Sequence, residues 1–291
     1  MAASQGMLAK LGIDSADPVT KAFDFKRESL KCMEEFLDGN GLRGTLEHDI
    51  SRVRKNIRRI GGQIMFEPNA VELSLLLPWI LGTAGSGTTY ALSDVLLTRN
   101  VVIDRIAKVY TYDNVAVNRA TFRASQGEAL QLSLDLVGKD EAEGNSGTFP
   151  SLTIDTATGP FILPDLALTI AGTTYNCRDW ELTIDNRLDS NRFFNSLTTV
   201  STPKTDRQIT LRITLPHGDA AAVYNTGPDG VAVVATFTNG TVSIVFSLVK
   251  VTFPRESASV EGRSEIFLPL TGTAYHSGST NSLIVTLDST P

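Results

Sequence analysis

Gly41-Leu-Arg-Gly-Thr-Leu-Glu-His-Asp-Ile50, Ser51-Arg-Val-Arg-Lys-Asn-Ile-Arg-Arg-Ile-Gly-Gly-Gln-Ile-Met-Phe-Glu-Pro-Asn69 and Ala70-Val-Glu-Leu-Ser-Leu-Leu-Leu-Pro-Trp-Ile-Leu81 run without interruption. The first two segments read as extended strands. Gly61-Gly62 marks a break or bulge beside the apolar run Gln63 to Phe66. Pro68 closes that strand, and Asn69 can cap a helix whose first turn carries Glu72. Leu73, Leu76, Leu77 and Ile80 then share one helical face. A β-hairpin followed by a short, very apolar helix is the expectation.

Upstream, Glu28 to Leu37 reads as a helix with Leu30, Met33 and Phe36 or Leu37 inward. Residues 1–40 are expected to form an arm that either reaches a neighbour or covers its own domain. Downstream, Gly82-Thr-Ala-Gly-Ser-Gly is a loop without the Gly-Lys-Ser/Thr ending of a phosphate cradle. Val101 to Tyr112 and Ala116 to Phe122 read as strands. Leu130, Leu132, Leu134 and Leu136 alternate with polar residues, as in a half-buried strand. The polar stretch 138–147 reads as the loop that ends a first unit.

The order then restarts. Strands are expected at Ala167–Ile170, around Trp180–Ile184 and at Ile209–Leu215, with a polar loop at 186–205 holding Phe193-Phe194. A short helix is expected at Ala220–Tyr224. Val231–Phe237 and Val242–Phe253 flank Asn239-Gly240, a strong hairpin signal, and Ile266, Leu268 and Leu270 alternate. Both halves thus read as hairpin, short helix, hairpin. By eye, Val117-Asn-Arg-Ala-Thr-Phe sets against Leu248-Val-Lys-Val-Thr-Phe, which suggests an internal repeat.

Composition bounds the function. Hydrophobic residues make up 42% and charged residues 20% of 291, enough for a packed core. The net charge of -6 argues against a nucleic-acid coat, though not against a wall past which nucleic acid slides. Cys32 and Cys177 offer neither a disulfide framework nor a zinc motif, and both are expected as reduced thiols. No signal-peptide pattern is present, and the apolar run Leu75–Leu81 is too short to span a bilayer.

Candidate chemistry is sparse. His48, Asp49 and Ser51 lie together, but a triad needs side chains that converge, and neighbours on a strand point to opposite faces. Asp104, Asp113, Asp135, Asp179 and Asp185 offer no preferred carboxylate pair. No ligand spacing implies a metal or a cofactor. The sharpest charge feature is Arg52, Arg54, Lys55, Arg58 and Arg59, with Arg52, Arg54 and Arg58 on one face of a strand. It can bind phosphate, keep a sheet edge soluble, or meet the acidic Asp140, Glu141 and Glu143 of another copy.

Gly41-Leu-Arg-Gly-Thr, Ile60-Gly-Gly, Phe66-Glu-Pro, Leu76-Leu-Pro-Trp-Ile-Leu-Gly and Val117-Asn-Arg-Ala-Thr-Phe-Arg-Ala-Ser-Gln-Gly-Glu-Ala-Leu-Gln-Leu-Ser-Leu-Asp-Leu-Val-Gly resemble the tail tube proteins of long-tailed, non-contractile phages. The resemblance covers about residues 40 to 275. It implies a mainly β fold: tandem β-sandwich or barrel domains at 41–150 and 151–291, each with a short flanking helix. It also implies a structural virion protein, not an enzyme, made in the host cytoplasm. Its partners would be itself, other tail proteins and DNA passing through the lumen without sequence-specific binding. Two units per chain would fill a six-position ring with three chains, or with six if the second unit is an outward decoration. The competing classes are a β-rich hydrolase and a β-sandwich carbohydrate-binding module or tail-tip adhesin, the last of which calls for clustered exposed aromatics. Aromatics are only 7% here, and most fall at core-facing positions.

Overall fold

The structure is a computed structural model, and it describes all residues except 1–5, 17–18, 40, 42–43, 45–46, 84, 146, 148, 151, 153, 155–157, 261–262, 264 and 290–291. The fold is mainly β, as expected, with antiparallel pairing throughout. The first half carries β1 (Lys10–Asp14), β2 (Ala22–Phe23), β3 (Arg27–Glu28), β4 (Lys31–Asp38) and β5 (Val53–Phe66), then helix α1 (Ala70–Leu81). After it come β6 (Thr89–Ala91), β7 (Arg99–Asp104), β8 (Lys108–Ser125), β9 (Gln131–Gly138) and β10 (Asp140–Asn145). The second half carries β11 (Leu166–Ile170), β12 (Thr173–Tyr175), β13 (Asp179–Asp185) and β14 (Gln208–Pro216), then helix α2 (His217–Thr226). It ends with β15 (Val231–Asn239), β16 (Val242–Thr252), β17 (Phe267–Tyr275) and β18 (Leu283–Asp288).

The pairing pattern of the first half recurs in the second. β4 pairs β5, β5 pairs β9 and β9 pairs β8; likewise β13 pairs β14, β14 pairs β17 and β17 pairs β16. The early part of β8 lies between β7 and β10, as that of β16 lies between β15 and β18. The hairpin β1–β2 adds to β7, and β11–β12 adds to β15. Even the bulges agree: one falls between Arg99 and Val101 and its counterpart between Val231 and Val233. Residues 10–38, the expected arm, thus carry strands whose places are taken by β11 to β13 in the second half. Buried side chains of both halves form one continuous core.

Helix α1 begins and ends where the sequence places it. Asn69 Oδ1 accepts from Glu72 N at 2.8 Å, the Glu72 carboxylate accepts from Asn69 N at 3.1 Å, and Gly82 closes the helix at φ 86°. It is not an outer flank, however. Its side chains are buried almost all round, and it packs on strands of both halves. Trp79 Nε1 donates to Val115 O at 2.9 Å, which satisfies the one polar atom of a large buried ring.

Several expectations are corrected. Glu28–Leu37 is not a helix but strands β3 and β4, since pairing with β5 overrides the helical spacing; Met33, Phe36 and Leu37 are exposed. Of the strand expected at 41–50, residues 42–43 and 45–46 lie outside the described residues, and the others are not in a strand. Gly61-Gly62 is no bulge: β5 stays in register there. A Cβ on Gly62 would sit 2.4 Å from Ser29 O, so the glycine serves the close approach of a neighbouring backbone. Val101–Tyr112 is broken by a turn at 105–107, where Ile106 has φ 71° and its N–H bonds to Asp104 Oδ1. The polar stretch 138–147 contains strand β10, which low β-propensity hides and pairing to β8 creates.

Candidate assembly interface

The two halves meet through a strand pairing. β13 lies on β8 over seven residue pairs, from Asp179 against Ser125 to Asp185 against Arg119. On its polar face Arg119 reaches Asp185 at 2.9 Å, and the hydroxyls of Thr121 and Thr183 lie 3.4 Å apart. On its inner face Trp180, Leu182 and Ile184 are fully buried.

The loop 186–207, which follows β13, folds back over the first half. Arg58 N donates to Leu197 O at 2.8 Å, and Asn186 Nδ2 donates to Val117 O at 3.0 Å. Arg59 donates to Asn191 Oδ1 at 3.1 Å, and its guanidinium stacks over the Phe193 ring. Of the Phe193-Phe194 tooth, Phe193 is therefore buried, and Phe194 stays in solvent.

Two further edges have no strand partner among the described residues. One is the outer side of β3 and β4, which pair on their other side with β5. Beyond the core this strand and β5 continue as a ribbon that exposes Phe36 (62%) and Leu37 (61%). The other is the segment 253–258 after β16, outside any assigned strand and mostly exposed, whose Ala258 packs against the core.

The predicted site residues separate. Arg58 lies 3.1 Å from Asp140 and 3.9 Å from Glu34 of its own chain. The acidic partner foreseen on another copy is thus met within the chain at this residue. Glu143 is held by Lys108, and Glu141 lies beside the Tyr112 hydroxyl. Arg52 ends a short turn, Ile50–Arg52, instead of sharing the strand with Arg54 and Arg58. Arg52 and Arg54 are exposed.

Near β3, Arg105 makes a two-pronged pair with Glu28 at 2.8 and 2.9 Å, which holds its guanidinium firmly protonated. Tyr112 Oη donates to Leu30 O at 3.0 Å, and burial pushes that phenol well above its ordinary value. His48 pairs with Asp38, while Asp49 caps Ser51 N, so the three residues of the triad pattern do not converge. Among the described residues no cluster of His, Cys, Asp or Glu is arranged to hold a metal.

Sequence reasoning missed the β3–β4 edge and the 253–258 segment. The signal was present in the repeat, but alignment by eye places Val117 against Leu248. The pairings place it against Phe253, five residues on.

A model of the family described as phage tail tube protein matches residues 35–274. This chain belongs to the phage tail tube protein family. No curated protein matches it significantly. The match takes in β5 to β17, both helices and the β8–β13 joint. A tail tube protein is a structural component of the virion tail that assembles with itself and with other tail proteins. Among the described residues of this tail tube protein no helix is long and apolar enough to cross a membrane.

Proposed function

We propose that the chain closes into rings that stack as the phage tail tube, the conduit for DNA on ejection. The observation that carries this reading is the recurrence of one strand order in two units that are joined edge to edge through β8 and β13. A joint of this kind leaves one free edge at each end of the chain, and free edges are a liability unless a neighbour takes them. Closing the series into a ring removes both. The units are 10–145 and 166–288, shifted from the 41–150 and 151–291 that the sequence suggests. A six-position ring then needs three chains, with joints that alternate within and between chains.

The polar face of the joined sheet supports a conduit. Across β5, β9, β8, β13 and β14 it presents Gln63, Asp135, Thr121, Thr183 and Thr210, and it sets Arg123 and Arg212 on either side of Glu181. Gln63 is bonded to Asp135 at 2.9 Å and Arg119 to Asp185 at 2.9 Å. Unpaired Lys and Arg would grip phosphates by releasing counterions, whereas such a face lets a duplex slide. Electron cryomicroscopy of the purified protein tests the reading. Hollow stacked rings of three chains are expected, with this face inward. Six chains per ring would overturn the stoichiometry alone, and a wall lined by unpaired Lys and Arg the account of the lumen.

A further inference from the structure

We propose that the joint between chains copies the joint within the chain: the outer edge of β3–β4 of one copy pairs with residues 255–258 of the next. This rests on the ring reading above and assigns its contact residue by residue.

The pairings fix the correspondence. Lys31 faces Gly61, Gly61 faces Val137, and Val137 faces Ala116. Thr183 faces Thr210, Thr210 faces Thr273, and Thr273 faces Thr252. Lys31 therefore stands where Thr183 stands, and Ala116 where Thr252 stands. Five residues beyond Ala116 is Thr121, the partner of Thr183 across the internal joint. Five residues beyond Thr252 is Ser257, exposed and without a strand partner. Lys31 of one copy thus meets Ser257 of the next, and Met33 meets Arg255 as Asp185 meets Arg119.

Three observations favour a second copy as the occupant. The receiving segment has the form of its internal counterpart. β8 bulges at Asn118, between Val117 and Arg119, and Pro254 holds the matching position, a place where proline costs no ladder bond. Val117 is followed by the buried Ala120 and Phe122, and Phe253 by the partly buried Ala258, with Glu256 exposed at the place of Ala120. The strand offered has the form of β13, since β3 and β4 keep one register with β5, Arg27 facing Met65 and Cys32 facing Ile60. In the single chain the polar groups of Leu30 are served by side chains, its N–H by Glu28 and its C=O by Tyr112 and Arg105. An edge so served is protected from promiscuous pairing until its own partner arrives.

Disulfide trapping in the full chain tests the register. Lys31→Cys with Ser257→Cys is placed in a Cys32→Ser, Cys177→Ser background, and Thr121→Cys with Thr183→Cys serves as the internal control. Oxidation of assembled protein is expected to give covalent trimers as the end product, whereas the control closes within one chain. Met33→Cys with Arg255→Cys is a second pair on the same register should the first perturb folding. Rings visible in the microscope without cross-links between copies, while the control closes, would overturn the joint and leave the tube reading intact. Cross-linking within isolated monomers would also overturn the joint. Protein that stays monomeric by native mass at every concentration would overturn both.

Discussion

β13 and the β3–β4 strand hold the same place in their units, yet their surroundings differ. At one matched position Trp180 stacks with Phe237 and Phe246, ring centroids 5.2 and 5.3 Å away. At the other Glu28 pairs with Arg105. β13 is clasped on both sides, by β8 and β14; β3 and β4 are clasped by β5 alone among the described residues. The contrast separates two jobs. A joint made once, during folding, can be sealed with aromatic surface. An edge that waits in water for another molecule is better served by polar groups that water or a side chain can satisfy.

The largest effect should come from breaking the sealed side. Trp180→Ala removes a fully buried ring from an aromatic cluster and is expected to cost about 3–5 kcal/mol in urea unfolding. Glu28→Ala leaves the partly buried Arg105 unpaired and should cost about 1–3 kcal/mol. Equal costs at the two positions would remove the distinction between the joints.

A pH effect sharpens the same comparison. Cys177, just before β13, has its thiol pushed up to about 11 by burial, with Asp179 adding to it; burial also raises Cys32 in β4. A folded-state value above the unfolded one means stability that is complete below the unfolded pKa of about 9 and is lost as pH rises toward 11. The share of Cys177 should reach about 2 kcal/mol and be absent in Cys177→Ala, which keeps the share of Cys32. Unfolding midpoints measured between pH 8 and 11 check it; an undiminished alkaline loss in the variant would assign it elsewhere.

The helices give the next, smaller contrast. α1 is capped by Asn69 and Glu72, whereas α2 starts at Pro216 with no side-chain cap. Asn69→Ala should cost about 1 kcal/mol, read by thermal unfolding. No change would mean that tertiary burial alone holds α1.

How far the sequence could be read follows from where its signals are local. α1 was legible because Asn69, Glu72 and Gly82 act within one turn of its ends. β9, β13 and β14 were legible because one buried face imposes alternation. β4 was not: Leu30, Met33 and Leu37 imitate a helix, and only contact with β5, fourteen residues further along the chain, makes them a strand. β10 was hidden for the same reason, since Asp-Glu-Ala-Glu-Gly-Asn has no local preference for a strand and takes its form from β8. The interface was the least legible part. Arg58 looks free in sequence, but Asp140 is brought to it by a strand that sequence does not announce.

The ribbon beyond the core carries the smallest expected effect on the single chain. Phe36 and Leu37 already face solvent, so Phe36→Ser with Leu37→Ser removes little buried area and should change unfolding by under about 0.5 kcal/mol. Assembly should respond differently. Within the chain, the loop after β13 lies across β5 and buries Phe193 there. By the same correspondence, the ribbon at the far end of β4 would lie across the end of β14 and β17 of the next copy, where Tyr275 is exposed. Burying the two side chains there is worth about 3 kcal/mol in total. Losing it should raise the protein concentration needed for assembly about a hundredfold. Arg52→Glu with Arg54→Glu tests charge on the same ribbon; it should slow assembly most at low salt, since exposed charges steer encounters and are screened. Light scattering against concentration and salt reads both. If the serine variant assembles at the wild-type concentration, the ribbon lies outside the joint, and the likeness between the two edges ends at β4.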